Sequence, residues 1–248
     1  MRALITGASS GIGRQMAIYL SEKKYELILV SRDKDSLEET KKMCKTKCFI
    51  EVFDLSDTKN CYSLFNKYKD VDLLINNAGF GVCDEFIKTS LDSELNMIDL
   101  NIKAVHILTK LYLSEMVKKD SGRILNVSSI AAYMTGPLMS TYYSTKSYVY
   151  RLTTAIYEEL RRNKSNVKIS VLCPGPINTK FLDVADVKFS VKTHSSNYVA
   201  KYAIDKMFKN KLVIIPGIKF KFFVFLSKIL PVNFFAKLVY NFQRKKAD

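Results

Sequence analysis

The residues of this chain best suited to chemistry are a tyrosine and a lysine four positions apart. Tyr142 and Lys146 form a Tyr-x-x-x-Lys pair, and residues at i and i+4 share one face of a helix. A free phenol has a pKa of about 10, and a nearby ammonium favours the phenolate and lowers that pKa. The pair therefore predicts a general acid–base group that delivers a proton to a substrate oxygen.

Neighbouring side chains support or rival this pair. Ser129 lies thirteen residues before Tyr142 and can hydrogen-bond the same substrate oxygen as charge develops on it. Ser128 is a rival for Ser129, and Tyr143, three residues before Lys146, is a rival for Tyr142. Taken alone, Tyr-x-x-x-Lys is more often an ordinary surface pair than a catalytic one.

A glycine-rich turn, Thr6–Gly13, follows the first apolar run and begins the first helical segment. Glycines allow positive φ and let the backbone approach a pyrophosphate, which the positive end of a helix attracts. The Gly-x-x-x-Gly-x-Gly spacing differs from the common Gly-x-Gly-x-x-Gly fingerprint, and a tight strand–helix connection is the alternative. The expected dinucleotide contacts in this turn are Gly7, Ser9, Ser10, Gly11, Ile12 and Gly13.

The end of the second apolar run, Ser31-Arg32-Asp33, indicates which dinucleotide is bound. An acidic residue at this place binds the ribose 2′-hydroxyl of NAD, whereas an arginine accommodates the 2′-phosphate of NADP. Arg32 favours NADP(H). Asp33 leaves NAD(H) open, because the sequence does not show which side chain faces the ribose.

Short β-branched apolar runs alternate with segments of helical periodicity, which predicts parallel βαβ units. The first runs lack polar alternation, so both faces of the sheet should be covered. We predict an α/β single-domain Rossmann fold, with a doubly wound, parallel, seven-stranded sheet and helices on both faces. The predicted strands are 3–6, 27–31, 48–53, 71–76, 123–128, 168–173 and 212–215, and the predicted helices are 12–20, 36–44, 58–68, 92–115, 141–163 and 197–209.

Further motifs occur in a fixed order along the chain. They are Thr6–Gly13, Asp54-Leu55, Asn76-Asn77-Ala78-Gly79, Asn101, Ser128-Ser129, Tyr142-x-x-x-Lys146 and Pro174-Gly175-Pro176. Their order and spacing resemble the short-chain dehydrogenase/reductase family over nearly the full length of the chain. The resemblance implies an oxidoreductase in which Tyr142 protonates a carbonyl oxygen while hydride arrives from a nicotinamide.

The resemblance also implies roles that the spacing does not show. The catalytic set would be Asn101, Ser129, Tyr142 and Lys146, with Asn101 anchoring a water in a proton relay through Lys146. Lys146 would also hold the nicotinamide ribose. The remaining cofactor contacts would be Asp54 and Leu55 at the adenine, Asn77, Ala78 and Gly79 at the adenosine ribose, and Pro174, Gly175, Ile177 and Thr179 at the nicotinamide.

Composition excludes several classes of protein. The chain has 248 residues, of which 48% are hydrophobic and 25% charged, and this excludes global disorder. Five cysteines without a Cys-x-x-Cys pair, and only two histidines, argue for free thiols and against a metal site. No apolar run suits a signal peptide or a membrane span. We therefore expect a cytoplasmic protein without a metal.

The net charge of +15 is concentrated near the C-terminus, where residues 206–247 contain ten Lys or Arg and no Asp or Glu. Residues 218–248 form a basic amphipathic extension, predicted as two short helices broken at Pro231. Its apolar stripes are Phe222, Phe225, Leu226 and Ile229, then Phe235, Leu238, Val239 and Phe242. These stripes predict either peripheral contact with an anionic membrane, at its inner face, or packing on the substrate, the domain or a sister subunit.

Together these features predict an NADP(H)-dependent oxidoreductase that interconverts a ketone or aldehyde and an alcohol. The predicted direction is reduction, and the predicted substrate is an apolar, lipid-like carbonyl compound of 3-oxoacyl or hydroxysteroid-like type. We expect a Rossmann domain over residues 1–217 with a substrate loop near 178–198, in a homo-oligomer, either dimer or tetramer. The alternative is a catalytically idle NADP-binding scaffold or a membrane-associated regulatory protein. Nucleic-acid binding is not expected, because the aromatics of the extension lie on helical stripes.

Overall fold

A seven-stranded sheet forms the centre of the molecule. The structure is a computed structural model that describes residues 1–177 and 194–247. The strands are β1 (Arg2–Thr6), β2 (Glu26–Ser31), β3 (Cys48–Val52), β4 (Leu73–Asn76), β5 (Arg123–Val127), β6 (Lys168–Leu172) and β7 (Val213–Ile214). Their order in the sheet is β3-β2-β1-β4-β5-β6-β7, and all neighbouring strands are parallel. The predicted doubly wound parallel sheet is confirmed.

Helices cover both faces of this sheet. In chain order, the α-helices of the described residues are α1 (Gly11–Glu22), α2 (Lys34–Met43), α3 (Thr58–Lys67), α4 (Leu91–Ile98), α5 (Val105–Lys118), α6 (Ser140–Arg162), α7 (Ser196–Phe208), α8 (Ile218–Ile229) and α9 (Val232–Ala247). Successive strand residues point to opposite faces, so Ala3 and Ile5 of β1 pack with α1 and α7 while Leu4 packs with α3 and α5. This double burial explains why the residues of the central strand β1 and its neighbour β2 are mostly apolar.

The predicted helix 92–115 is helical, but its middle is not α-helical. Between α4 and α5 the backbone forms a π-helical segment, Asp99–Ala104. Such segments are rare and are found frequently at functional sites. Asn101 lies in this segment, and the periodicity of the sequence does not reveal the change of helix type.

The C-terminal extension forms two helices, as predicted, with the break at Pro231 between α8 and α9. No helix in the described part of the chain is long and apolar enough to cross a membrane. Phe235 and Val239 of α9 are buried, whereas Phe222 and Phe225 of α8 are exposed. The predicted apolar stripe of α9 therefore packs partly on the domain, and most of the predicted stripe of α8 faces outward.

Candidate active site

A cleft of about 860 Å³ lies at the carboxyl ends of the strands. Residues that follow β1, β2, β3, β4, β5 and β6 all contribute to its walls. β1 pairs with β2 on one side and with β4 on the other, so the strand order reverses beside this cleft. Open α/β sheets bind their ligands at this position.

The turn after β1 brings backbone amides to the cleft. Gly7 has a φ of +67°, and a β-carbon there would lie 2.8 Å from Asn77 Nδ2. A β-carbon on Gly13 would lie 2.2 Å from the Gly7 carbonyl oxygen. α1 begins without a side-chain cap and without an acidic residue in its first turn, so its amides suit an anion such as a pyrophosphate. The cleft is lined here by Gly7, Ser9, Ser10, Gly11 and Ile12, whereas Gly13 lies behind the turn.

Arg32 and Asp33 both line the cleft but are held differently. Asp33 caps α2, because its carboxylate accepts hydrogen bonds from Ser36 N at 3.0 Å and from Ser36 Oγ at 2.6 Å. Arg32 lies on the exposed rim, where Nη1 is 3.5 Å from the Asp54 carboxylate. The guanidinium can therefore meet a phosphate at the rim, while Asp33 stabilises the start of a helix.

The loop after β4 is joined to the turn after β1. Asn77 Nδ2 donates to the carbonyl oxygens of Thr6 and Gly7 at 3.0 and 3.1 Å. The backbone amides of Asn77 and Ala78 donate to Thr6 Oγ1 at 2.9 and 3.0 Å. The predicted adenosine contacts all line this cleft. They are Asp54, Leu55, Asn77, Ala78 and Gly79.

Ser129, Tyr142 and Lys146 line the same cleft. Lys146 is buried; its Nζ donates to the Val127 carbonyl oxygen at 3.2 Å and lies 5.7 Å from the centre of the Tyr142 ring. Tyr142 and Ser129 share a side-chain hydrogen bond. Ser129 Oγ also accepts from the Ala131 amide at 3.1 Å, which orients it at the end of β5. An acid–base group and a second polar hydroxyl thus face the same space.

Burial determines the protonation of the two titratable groups. It raises the pKa of Tyr142 to about 12, although the hydrogen bond with Ser129 acts in the opposite direction. Burial also lowers the pKa of Lys146 to about 8. The expected lowering of the Tyr142 pKa by Lys146 is therefore wrong for this structure, because burial of the phenol is the largest effect and it raises the pKa. At neutral pH the phenol is protonated, which is the form that donates a proton.

The two rival residues have other partners. Ser128 is buried and donates to the Lys146 carbonyl oxygen at 2.7 Å, so it ties β5 to α6. The Tyr143 hydroxyl accepts a hydrogen bond from Gln243 Nε2 of α9 at 2.9 Å. The geometry therefore favours Ser129 and Tyr142 as the pair that faces a reacting oxygen.

Asn101 is completely buried and cross-links three parts of the chain. Its Nδ2 donates to the Phe80 carbonyl oxygen at 2.9 Å and to Thr145 Oγ1 at 3.1 Å, and its Oδ1 accepts from the Phe80 amide at 3.1 Å. These bonds connect the π-helical segment, the loop after β4 and α6. Because Thr145 is the neighbour of Lys146, the Asn101 side chain acts on the site from behind the cleft wall.

The loop after β6 completes the described walls. The predicted contacts Pro174, Gly175 and Ile177 line the cleft. Thr179 and most of the predicted loop 178–198 lie outside the described residues. Ile177 forms a parallel bridge with His194, and the His194 ring lies 5.8 Å from the ring of Phe220 in α8. These contacts hold the first turn of α8 next to this wall of the cleft.

The C-terminal helices cover the far end of the cleft. The Phe220 ring packs so closely on Gly175 that a β-carbon there would lie 2.4 Å from Cζ. The extension contributes seven residues to the lining of the cleft: Lys219, Phe220, Phe223, Leu238, Val239, Phe242 and Gln243. Helical periodicity marked three of them as an apolar face without showing what that face covers. No sequence signal pointed to Gln243.

The sequence profile described as short chain dehydrogenase matches residues 1–187. The chain is similar to estradiol 17-beta-dehydrogenase 11 of Homo sapiens, with 30% identity over 243 residues, 95% of this chain and 81% of that protein. It is also similar to the NADP-dependent 3-hydroxy acid dehydrogenase of Schizosaccharomyces pombe, with 36% identity over 191 residues, 72% of each chain.

A solved structure shares the fold. The short-chain dehydrogenase from Sphingobium yanoikuyae in complex with NADPH superimposes with a TM-score of 0.80 at 24% identity, covering 88% of each chain. The match to the family profile extends over more than half of the chain. The chain therefore belongs to the short-chain dehydrogenase/reductase family of oxidoreductases.

Proposed function

We propose that this chain is an NADP(H)-dependent oxidoreductase that reduces an apolar, lipid-like ketone or aldehyde to an alcohol. The observation that carries the proposal is the presence of Ser129, Tyr142 and Lys146 in the same cleft as the glycine-rich turn. A proton donor in the same cleft as a dinucleotide-binding turn is the arrangement that hydride exchange requires. The idle scaffold is disfavoured because all three side chains are present.

Tyr142 is the proton donor in the reductive direction. Its pKa of about 12 keeps the phenol protonated at neutral pH. Ser129 steadies the same substrate oxygen as charge develops on it. Lys146, charged below about pH 8, stabilises the phenolate that remains after proton transfer. Asn101 acts through Thr145 as a positioning residue, and its part in a water relay stays a prediction.

The residues of the cleft fit a nicotinamide dinucleotide. A β-carbon would fill the backbone cradle at Gly7, where the first turn of α1 offers its amides to the pyrophosphate. When bound, the nicotinamide supplies or accepts the hydride. In the part of the chain that the structure describes, no group of three or more His, Cys, Asp or Glu could hold a metal ion. The adenosine would contact Asp54, Leu55, Asn77, Ala78 and Gly79, and the nicotinamide Pro174, Gly175 and Ile177, with Thr179 as a further predicted contact.

We favour NADP(H) over NAD(H) as the cofactor. Arg32 lies at the exposed rim, and the nearby Ser31 hydroxyl donates to Ser9 Oγ at 2.9 Å, so the Arg32 cation and the Ser9 hydroxyl are available to donate to a 2′-phosphate. Asp33, the residue that would bind a free ribose hydroxyl, caps α2. The relative from Schizosaccharomyces pombe is named NADP-dependent, which supports the same preference.

The substrate end of the cleft is apolar. Phe220 and Phe223 of α8, and Leu238 and Phe242 of α9, form its cover. A sugar or a nucleotide would place unpaired polar groups against these side chains, whereas a long apolar molecule would bury them. This lining supports a 3-oxoacyl or hydroxysteroid-like substrate, and so do the names of the estradiol and 3-hydroxy acid relatives.

We also propose that the outer face of the extension contacts an anionic membrane. Phe222, Phe225 and Ile229 of α8 are 61, 56 and 62% exposed. Residues 218–247 contain seven Lys or Arg and no Asp or Glu. An exposed apolar face within a cationic segment suits the surface of anionic lipids. Because the same helices cover the cleft, substrate could reach the site from the membrane side.

Two further expectations belong to this proposal. Residues 1–217 would bind the cofactor and carry the chemistry, while residues 218–248 would cover the substrate. The expected dimer or tetramer stays a prediction, and analytical ultracentrifugation of the full chain would test it. Nucleic-acid binding is not part of the proposal.

The test of the proposed function is a substrate screen that follows NADPH absorbance. Ketones and aldehydes of increasing chain length and several steroid ketones would be compared, with NADH in parallel assays. We expect kcat/KM to rise with chain length and NADPH to be preferred. Equal values for short and long chains would contradict the apolar substrate, and no turnover with any carbonyl compound would contradict the enzymatic function.

A further inference from the structure

One buried polar side chain at the substrate end has no part in the proton transfer proposed above. Gln243 of α9 is 2% exposed and lines the cleft among aromatic and aliphatic side chains. Its Nε2 donates to the Tyr143 hydroxyl at 2.9 Å. Its Oε1 has no hydrogen-bond partner among residues 1–177 and 194–247. A buried amide oxygen without a partner is costly, and folded proteins keep few of them.

Tyr143 fixes the position of this amide. Its ring lies against Gly136, where a β-carbon would lie 2.2 Å from Tyr143 Cγ. The rings of Tyr143 and Tyr142 are neighbours, with centres 6.1 Å apart and planes inclined by 76°. Because the Tyr143 oxygen accepts the Gln243 N–H, its own O–H hydrogen is left to donate. Gln243 and Tyr143 therefore offer one acceptor and one donor beside the reacting end of the cleft.

We propose that Gln243 and Tyr143 bind a hydroxyl group of the substrate, at a distance from the carbonyl group that Tyr142 protonates. A hydroxyl can donate to Gln243 Oε1 and accept from the Tyr143 hydroxyl, so a single group satisfies both. An ether or a second ketone could only accept, and an ammonium could only donate. The inference rests on the proposed function and narrows its substrate class to apolar carbonyl compounds that also carry a hydroxyl.

This pair makes the C-terminal extension a determinant of specificity. A site built to hydrogen-bond a hydroxyl discriminates against the analogue that lacks it, because the polar groups of the site are then left unpaired. The aromatic cover alone would only favour apolar length. Gln243 adds a requirement for a hydroxyl group at one position of the substrate. The residue that imposes this requirement lies on α9 and not on the sheet.

The test compares matched ketones in NADPH-dependent reduction. One set is straight-chain methyl ketones with and without a terminal hydroxyl at several chain lengths, and the other is a steroid ketone with and without a hydroxyl at its opposite end. The wild-type enzyme should prefer the hydroxylated member by about tenfold in kcat/KM for at least one pair. In Gln243→Met this ratio should fall to about one, whereas Gln243→Glu keeps an acceptor and should keep the preference.

The control is Asn241→Met, which places the same new side chain on the exposed side of α9 and should leave the ratio as in the wild type. If Gln243→Met does not fold, the ratio of kcat/KM for the hydroxylated and plain ketones, measured with the wild-type enzyme, still tests the proposal. Equal kcat/KM within every pair, with the plain ketones turned over, would overturn this inference and leave the proposed function standing. No turnover of any ketone would overturn both.

Discussion

The two ends of the cleft are held in place by different forces. At the sheet end, Asn101, Ser129 and Lys146 each bond to backbone groups, so their positions are determined by β4, β5 and α6. At the other end, α8 and α9 present mainly carbon to the cleft, and Phe222 and Phe225 remain exposed on their outer side. Hydrogen bonds have strict geometry, whereas apolar contacts tolerate many shapes.

This difference assigns separate tasks to the two ends. Proton transfer needs atoms held within hydrogen-bond reach, which the cross-linked sheet end supplies. Recognition of a long apolar molecule needs a large apolar contact surface, which the helices α8 and α9 supply. Substitutions at the sheet end should therefore change kcat, and substitutions in the cover should change KM and the choice of substrate.

The largest effect should come from removing the proton donor. Tyr142→Phe should lower kcat by about 10²–10⁴-fold, because the phenol that shares a hydrogen bond with Ser129 is lost, while NADPH binding measured by fluorescence titration persists. Tyr143→Phe should lose about tenfold or less. Tyr148→Phe, on the outer face of the same helix, is the matched control. A greater loss in Tyr143→Phe than in Tyr142→Phe would reverse the assignment of the two residues.

Lys146 should make the stability of the fold depend on pH. Its pKa is about 8 in the folded chain and 10.5 in the unfolded chain, so between these values only the unfolded chain holds the proton. The free energy of unfolding of the wild type, relative to Lys146→Met, should therefore rise by about 3 kcal/mol from pH 8 to above pH 10.5. Urea denaturation of both proteins across this range measures the difference, and a difference that stays flat would show that Lys146 is not desolvated.

Arg32 should affect only one of the two dinucleotides. Arg32→Ala should raise the KM for NADPH by about ten- to hundredfold, because a charge-assisted contact with the 2′-phosphate is lost. The KM for NADH should change little. Steady-state kinetics with a single ketone gives both values, and an equal effect on the two cofactors would contradict the NADP(H) preference.

The smallest effect should appear at the membrane. Replacing both Phe222 and Phe225 by serine should lower binding to anionic vesicles by about tenfold, because two exposed rings no longer enter the lipid. Tyr62→Ser, which removes a half-exposed ring from α3, is the control and should bind as the wild type. Vesicle flotation measures the bound fraction. Unchanged flotation of the double variant would mean that the outer face of α8 serves another purpose.

The sequence predicted the sheet and the polar end of the cleft because these depend on local patterns. Apolar runs such as β1 are buried on both faces, and the turn at Gly7 needs a residue that accepts positive φ. The π-helical segment around Asn101 lies within a stretch whose periodicity predicts an α-helix, so the change of helix type could not be predicted from the sequence. The pKa of Tyr142 is raised by burial, and the four-residue spacing between Tyr142 and Lys146 in the sequence carries no information about burial.

The role of the extension could not be predicted for a different reason. Periodicity identified apolar faces on α8 and α9 but not the surface that each one meets. The outward direction of Phe222 and the inward position of Gln243 depend on how α8 is attached next to Gly175 and His194, which are distant in sequence. Only the folded chain brings these residues together.

The measurement that tests the central claim most directly is the fate of a labelled hydrogen. The claim is that one cleft holds the cofactor at the sheet end and the carbonyl compound under α8 and α9, in contact with Tyr142. The enzyme would be supplied with NADPH carrying deuterium at the transferable position of the nicotinamide, together with a long-chain hydroxyketone, and the alcohol analysed by mass spectrometry. We predict one deuterium on the carbinol carbon; an alcohol without deuterium, or none formed, would contradict the account.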